Sequence, residues 1–444
     1  MAFQFVDNGG SDGVRTLEEK ERRQIRSHVM KGRNLHKRIR RGKCHQQKCP
    51  SRDVAIQFPS ISNEEHCLLL SSLIPGRVGD EWACFQFAFE LKPYMRHAVF
   101  NFLNGLSDII YPMQVCLQHD STADIWFRYS LVEPAYLHCL LALSMSMMGT
   151  LSVGAWHRPE ALFHLGETLR LANEKLQRDL LSDPLFAVIV SLAIADSCRG
   201  NYDRALVHLN GLQGMLDHVG GFSYLNDKPS LQSKILRFDV DFSVRTGSLP
   251  RFYYDGTEFS TAGVSFNRQP SPRPDFQSTF NYLYTFTVEL ERKSSGSGDL
   301  HPLSFHATVI YIYYRLLIIP PSHGLPEALR LASLAFMTTW FGYGYCVSYT
   351  LLGAQLKEAL VVLDDKDFEN CPSLMWTLFI GAISVFKDGD IHQLSRKFVY
   401  ALKSLGLQRW TDTLQYLKQF PWVTRLHGKA TFEVWGEIMT SHWN

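Results

Sequence analysis

The sequence predicts an all-α fold, and three observations support that prediction. Apolar residues recur at spacings of three and four along most of the chain beyond residue 60, which is the period of an amphipathic helix. No alternating run of apolar and polar residues is long enough to predict a sheet. Hydrophobic residues make up 45% and charged residues 20% of the 444 positions, which is typical of a globular protein with a substantial core. We therefore expect a large multi-helix domain over residues 61–444.

Residues 1–60 have a different character, because the positive charge of the chain is concentrated there. Between residues 15 and 52, 14 Lys or Arg stand against 3 Glu, a net charge of +11, whereas residues 1–14 carry −2 and residues 53–444 carry 31 − 38 = −7. Such a concentration attracts polyanions or an import receptor. We expect a basic, largely disordered arm, and a solvated tail with no further role is the alternative. The candidates for nuclear import or phosphate contact are Lys37, Arg38, Arg40, Arg41 and Lys43.

Helix signals follow one another along the domain. Aromatic residues are dense between residues 82 and 106, where Pro93 predicts a division into two helices. Pro159 and Pro184 stand where a first helical turn accepts proline, and the pair Gly220 and Gly221 predicts a helix end. The expected helices cover residues 134–148, 159–181, 184–199, 202–219, 230–247, 305–319, 326–340, 351–363, 373–386 and 391–405, with further helix toward residue 444.

The spacing of apolar residues also predicts faces and caps. The helix expected at 202–219 packs inward through its leucines. Ser182 and Asn201 are the expected caps of the helices that follow them, because short polar side chains accept hydrogen bonds from the first turn. In the helix expected at 159–181, gaps of three and four place on one apolar face Leu162, Leu165, Leu169, Ala172 and Leu176.

Two segments interrupt the helical pattern. Prolines and glycines predict an irregular segment at about residues 246–278, and the Ser/Gly run at 294–298 predicts a flexible linker. Residues 134–156 and 331–356 lack Asp, Glu, Lys and Arg over lengths that could span a membrane. Both stretches contain Gly, Ser, Thr or His, whereas spanning helices are richer in Leu, Ile and Val. We therefore expect buried core helices there.

The cysteines predict free thiols in a reducing compartment. The chain has 9 cysteines, an odd number, and they are scattered, unlike a secreted disulfide framework. Cys44 and Cys49 are separated by four residues, whereas a binuclear zinc cluster needs six cysteines within about thirty residues, in pairs two residues apart. A zinc site completed by His66 and Cys67 is the alternative, in an unusual order. We expect no bound metal and no cofactor.

Sequence patterns typical of catalysis are not found. The chain has no Gly-x-Ser-x-Gly, no Gly-x-x-x-x-Gly-Lys and no His-Glu-x-x-His. Asp364, Asp365 and Asp367 bring three carboxylates together, and hard cations prefer such oxygens. An isoprenoid cyclase of all-helical fold would use an aspartate-rich motif, but Phe368 stands where its last aspartate belongs. We therefore expect a solvated helix start there and no catalytic residues.

One region resembles a known family. Residues 208–222, His-Leu-Asn-Gly-Leu-Gln-Gly-Met-Leu-Asp-His-Val-Gly-Gly-Phe, look like a stretch in the regulatory domain of fungal zinc-cluster transcription factors. Residues 91–112, 134–144 and 182–184 are similar to segments that precede it in this family, so that the resemblance covers residues 80–255 well and 1–60 loosely. The positions of the family's structural motif are His208, Gly211, Leu212, Met215, Gly220, Gly221, Asp239, Gly247 and Pro250.

The resemblance implies an all-helical regulatory domain, a nuclear location and a role in transcription, in a member that lacks the zinc cluster. We expect it to act mainly through contacts with other transcription regulators, as a homo- or heterodimer. Contact with DNA would be non-specific or indirect, the membrane would not be involved, and the helical domain could hold a small-molecule effector. The alternative is an all-helical enzyme or a membrane-associated protein of fungal secondary metabolism.

Overall fold

The computed structural model describes residues 85–103, 123–150, 159–252, 275–294, 300, 302–340 and 348–441. These residues form sixteen α-helices and one short 3₁₀ helix, and they contain no strand. The predicted all-α class is therefore confirmed. The basic arm lies outside the described residues, as do residues 253–274 and 295–299, which contain most of the expected irregular segment and linker.

The helices succeed one another along the chain with short connections. The first seven are α1 (Pro93–Asn101), α2 (Ala123–Val132), α3 (Pro134–Thr150), α4 (Pro159–Gln177), α5 (Asp183–Cys198), α6 (Tyr202–His218) and α7 (Pro229–Thr246). The other nine are α8 (Phe276–Ser294), α9 (Pro302–Ile318), α10 (Leu325–Thr338), α11 (Thr350–Val361), α12 (Asp365–Asn370), α13 (Ser373–Ser384), α14 (Asp388–Ser404), α15 (Trp410–Leu417) and α16 (Thr424–Ser441).

The first half of the fold is built from two helical pairs. Helices α3 and α4 pack along each other, α5 and α6 do the same, and α5 also contacts α3 and α7. Helix α5 is apolar on all sides, and its residues from Leu185 to Ala193 are buried, because neighbours cover it on every face. Helix α7 is central as well, since it contacts α9 and α11 of the second half.

The second half is organised around α10 and α13, which pack on each other. Large aromatic side chains fill this region, and Trp340 and Trp376 are almost fully buried. The Trp376 indole N–H donates a hydrogen bond to the Pro421 carbonyl at 2.9 Å, which satisfies its polar atom inside the core. Gly353 of α11 lies so close to the chain after α13 that an added Cβ would be 2.5 Å from the Val385 carbonyl oxygen.

Where the structure describes them, the charge-free stretches lie in core helices, as predicted. Residues 134–150 form α3, and residues 331–338 and 350–356 belong to α10 and α11, whereas residues 151–156 and 341–347 lie outside the described residues. In the part of the chain that the structure describes, no helix combines the length and the hydropathy needed to cross a membrane. The aspartate-rich segment is also a helix start, since Asp364 caps α12 through a reciprocal capping box with Asp367.

The predicted face of α4 is only partly the buried one. Leu162, Leu169 and Leu176 are 50%, 40% and 38% exposed. The core face consists of smaller or more polar residues, which are Ala161, His164, Thr168 and Ala172. Small side chains at a contact allow two helices to approach closely, and this explains why α3 selects this face.

The two expected capping residues occupy the N-cap positions, but their side chains do not cap the helices. Ser182 and Asn201 are the residues before α5 and α6, yet neither side chain makes a capping hydrogen bond. The Ser182 hydroxyl is buried, and the backbone of Asn201 has φ −84° and ψ 61°, outside the extended region that a capping residue usually adopts. These two helices therefore start through their backbone hydrogen bonds and, in α5, through Pro184.

Candidate functional site

A buried carboxylate on α7 holds the chain that follows this helix. Asp239 is 1% exposed. Its Oδ1 accepts the backbone N–H of Arg251 at 3.0 Å, and its Oδ2 accepts the N–H of Phe252 at 2.9 Å. The Tyr314 hydroxyl of α9 lies 2.6 Å from the same Oδ2 and 2.7 Å from the Phe252 carbonyl oxygen. We call Asp239, Phe252 and Tyr314 the Asp239 anchor.

Two opposing effects act on the ionisation of Asp239 in the anchor. Burial raises the pKa of Asp239, while the hydrogen bonds from Tyr314, Arg251 and Phe252 favour its charged form. Burial and the neighbouring carboxylate raise the pKa of Tyr314 well above its usual value. The hydroxyl therefore remains protonated and can donate its single proton to the carboxylate or to the Phe252 carbonyl.

A second buried carboxylate on α7 forms an ion pair. Arg245 Nε lies 2.6 Å from Asp241 Oδ2 and its Nη2 lies 3.1 Å from Oδ1. The Tyr349 hydroxyl, just before α11, donates to Asp241 Oδ1 at 2.6 Å, and the Arg245 guanidinium lies 4.7 Å from the centre of the Tyr349 ring. This bidentate pair with a third donor and a ring contact fixes α11 against α7.

The turn after α7 connects three helices. Gly247 has φ +71°, in the left-handed region, and a Cβ there would lie 3.1 Å from Leu351 Cδ2 of α11. The turn then passes Pro250 and returns to the anchor. Arg251 Nη1 also donates to Asn210 Oδ1 of α6 at 2.5 Å. Residues 247–252 are thus held by α6, α7 and α9, and the motif positions Asp239, Gly247 and Pro250 meet at this point.

The other motif positions lie on α6 and at its end. Leu212 and Met215 are buried against the core. Gly220 and Gly221 follow the C-cap Val219 and have φ +96° and +91°, and such positive values favour glycine just after a helix end. Nothing in the structure explains why residue 211 is glycine, because a Cβ there would meet no atom within 4 Å.

His208, also on α6, lies at a groove. Helices α4 and α6 form its walls and α3 and α5 its floor, and it encloses about 260 Å³. His208 Nε2 lies 3.3 Å from Asp196 Oδ2, and Arg199 Nη1 lies 3.2 Å from Asp196 Oδ1. The lining is otherwise mostly apolar and consists of Cys139, Ala142, Leu143, Leu165, Leu169, Leu192, Ala195, Asp196, Arg199, Arg204, Val207 and His208.

At the polar end of this groove, Asp196 contacts Arg199 and His208, and Arg204 adds a second arginine charge. Burial alone would raise the pKa of Asp196, but the hydrogen bond from His208 and the charges of Arg199 and Arg204 lower it. Asp196 is therefore ionised at neutral pH. The single negative charge of Asp196 interacts with the guanidinium groups of Arg199 and Arg204. Of these two arginines, Arg204 is the exposed one.

The structure brings some predicted residues together and separates others. His208 lies in the groove, whereas Asp239, Gly247 and Pro250 lie at the anchor, and the Arg251–Asn210 contact connects the two places through α6. The cationic candidates from Lys37 to Lys43 lie outside the described residues. The sequence pattern gave no signal for Tyr314 or Tyr349, because their partners are 75 and 108 positions away. It also gave none for Asp196, although its partners Arg199 and His208 lie on the same helix end and on the next helix. Among the described residues, no three His, Cys, Asp or Glu side chains are placed to hold a metal ion together.

These features define an all-helical domain in which Asp239, Asp241 and Arg245 are held by groups of the domain itself. Residues 101–303 match the family model described as the fungal specific transcription factor domain. This match agrees with the resemblance found in the sequence and supports a role in transcription regulation. The family is one of regulators rather than of enzymes. Neither the search of curated proteins nor the search of solved structures found a match.

Proposed function

We propose that the protein is a nuclear transcription regulator that acts mainly through protein–protein contacts and has no zinc-cluster domain of its own. The observation that carries this proposal is the match of residues 101–303 to the fungal specific transcription factor domain. The arm supports the second part, since it holds two cysteines where a binuclear cluster needs six. Any contact of the arm with DNA is then made to phosphate and depends strongly on salt.

A row of exposed leucines on α4 supports the protein-contact mechanism. Leu162, Leu169 and Leu176 are separated by seven residues each and remain 38–50% exposed, which we call the leucine stripe. The charged side chains beside it pair within the helix, since Arg170 contacts Glu167 at 2.9 Å and Glu174 at 3.2 Å. A seven-residue repeat of leucines matches a partner helix with an apolar stripe of its own. We propose that such a helix of another transcription regulator packs here.

The test uses the full chain fused to a heterologous DNA-binding domain above a reporter gene. We expect the wild-type fusion to change reporter expression and the Leu162→Glu/Leu176→Glu variant to lose most of the change. Both positions are exposed, so the fold tolerates the charges. The matched control is Val288→Glu/Val361→Glu, whose side chains are 49% and 54% exposed on other helices. If the stripe variant and the control behave alike, the leucine stripe is not the contact surface.

The same proteins distinguish a homodimer from a heterodimer. Light scattering on the purified wild-type chain gives its mass in solution. A mass near 50.8 kDa excludes a homodimer and is the result that the heterodimer requires. A doubled mass that the stripe variant returns to 50.8 kDa assigns the stripe to a second copy and contradicts the heterodimer.

The basic arm is the proposed import signal. Neutralising Lys37, Arg38, Arg40, Arg41 and Lys43 in the fluorescently tagged full chain is expected to move fluorescence from the nucleus to the cytoplasm, because an import receptor binds such clusters. Neutralising five other cations of the arm, Lys20, Arg22, Arg23, Arg26 and Lys31, is the charge-matched control. A reticular or peripheral pattern of the wild-type protein would contradict a nuclear regulator.

A further inference from the structure

We propose that the groove between α3, α4, α5 and α6 binds a small apolar molecule that carries one carboxylate. The groove has an apolar floor and a cationic end. The apolar part of the ligand would contact the floor, and its carboxylate would contact the cationic end. The regulatory meaning of such binding rests on the proposed function, whereas the binding itself does not.

The floor of the groove is apolar and fixed. Cys139, Ala142 and Leu192 are at most 4% exposed, and Leu165 and Val207 form the upper walls. Burial raises the pKa of the Cys139 thiol to about 12, so this side chain is neutral and behaves as an apolar surface. The volume of about 260 Å³ lies just below the range of small-molecule sites, roughly 300–1,000 Å³. A helix of about 10 Å diameter does not fit such a space, which favours a small molecule.

The charges at the other end select the polar group of the ligand. Asp196 is already engaged by Arg199 and His208 at 3.2 and 3.3 Å. Two guanidinium groups against one carboxylate leave a surplus of one positive charge, which is carried by the exposed Arg204 on α6. A guanidinium presents paired N–H groups that match the two oxygens of a carboxylate. An amine in the same position would be repelled, and an alcohol would leave the charge uncompensated.

The position of the groove gives ligand binding a regulatory consequence. Leu169 lines the groove and is also the middle residue of the leucine stripe. A ligand that contacts Leu169 from the groove changes the apolar surface that α4 offers to a partner helix. Binding of the carboxylate and binding of the partner are then coupled free energies, and each alters the other by the same factor.

The experiment measures calorimetric binding of three probes to the purified full chain: octanoate, 1-octanol and octylamine. We expect octanoate to bind about two- to fivefold more tightly than octanol, because an exposed ion pair contributes up to about 1 kcal/mol, and octylamine to bind most weakly. Arg204→Gln should remove the preference for octanoate and leave octanol unchanged. Val207→Trp should weaken all three, because the indole fills the groove from an exposed position.

Two control variants keep the result interpretable. Arg178→Gln removes an exposed cation at the end of α4 and Val288→Trp adds an indole on α8, and both should bind as the wild type does. The proposal is overturned if octanoate shows no binding, if it binds no better than octylamine, or if Arg204→Gln and Val207→Trp bind like their controls. The two proposals can fail separately. If octanoate binds the chain but the wild-type fusion does not change reporter expression, the proposed function is contradicted and the groove proposal stands.

Discussion

Replacing Asp239 with alanine removes the acceptor that holds residues 247–252 against α7 and α9. The buried Phe252 N–H loses its partner at 2.9 Å, and the Arg251 N–H loses its partner at 3.0 Å. The Tyr314 hydroxyl keeps the Phe252 carbonyl. Each hydrogen bond to a charged group contributes about 1.5–3 kcal/mol, and a buried donor left unpaired costs about 1–3 kcal/mol. Because water can reach the exposed Arg251, we expect the free energy of unfolding to fall by about 3–5 kcal/mol.

The measurement is urea denaturation followed by circular dichroism, together with hydrogen exchange of residues 247–252. Asp239→Asn keeps one acceptor oxygen and is expected to lose only about 1–2 kcal/mol, and Tyr314→Phe about 1 kcal/mol. Asp203→Ala, at an exposed position of α6, serves as the control. If Asp239→Ala unfolds within about 0.5 kcal/mol of the wild type, the anchor does not hold this turn and the reasoning is wrong.

Two further predictions concern other buried positions. Burial lowers the pKa of His427 to about 3, so the unfolded chain binds a proton below about pH 6.5 and the folded one does not. Stability therefore falls on acidification, and between pH 7 and 5 the free energy of unfolding should drop by about 2 kcal/mol more in the wild type than in His427→Gln; equal drops would contradict the assignment. Gly353→Ala should lower the melting temperature, because its Cβ would lie 2.5 Å from the Val385 carbonyl oxygen. Gly166→Ala, where a Cβ meets no atom within 4 Å, should instead stabilise α4 by about 0.5–1 kcal/mol, and similar shifts for the two variants would refute the packing argument.

Helix positions could be predicted from the sequence because their signals are local. Pro159 and Pro184 stand in the first turns of α4 and α5, and Gly220 and Gly221 follow the end of α6. Such residues determine backbone geometry within one turn, whatever packs around them. The starts of α4, α5 and α6 therefore agree with the prediction to within a residue, and α4 ends four residues earlier than expected, at Gln177 rather than residue 181.

The buried face of α4 could not be predicted in the same way. Periodicity identified the leucines, but the helix has a second face of small and polar residues, and close packing on α3 selects that one. His164 is tolerated inside because its Nδ1 lies 2.7 Å from His138 Nδ1, and the Thr168 hydroxyl donates to the His164 carbonyl at 2.8 Å. A prediction from hydrophobic periodicity alone places such polar residues on the surface, although their hydrogen bonds allow them to be buried.

The anchor was likewise beyond sequence patterns. Asp239 was found through the resemblance alone, with no physical role attached. Its partner Tyr314 is 75 positions away, and Tyr349 is 108 positions from Asp241. A contact at this separation depends on how α7, α9 and α11 pack, and no local spacing encodes it.

Transcript profiling after rapid depletion of the protein tests most directly whether it regulates transcription. We expect a defined set of transcripts to change soon after depletion, to recover with the wild-type chain and with Val288→Glu/Val361→Glu, and to remain altered with Leu162→Glu/Leu176→Glu. Unchanged transcripts accompanied by the loss of a metabolite would contradict the regulator and would favour an enzyme.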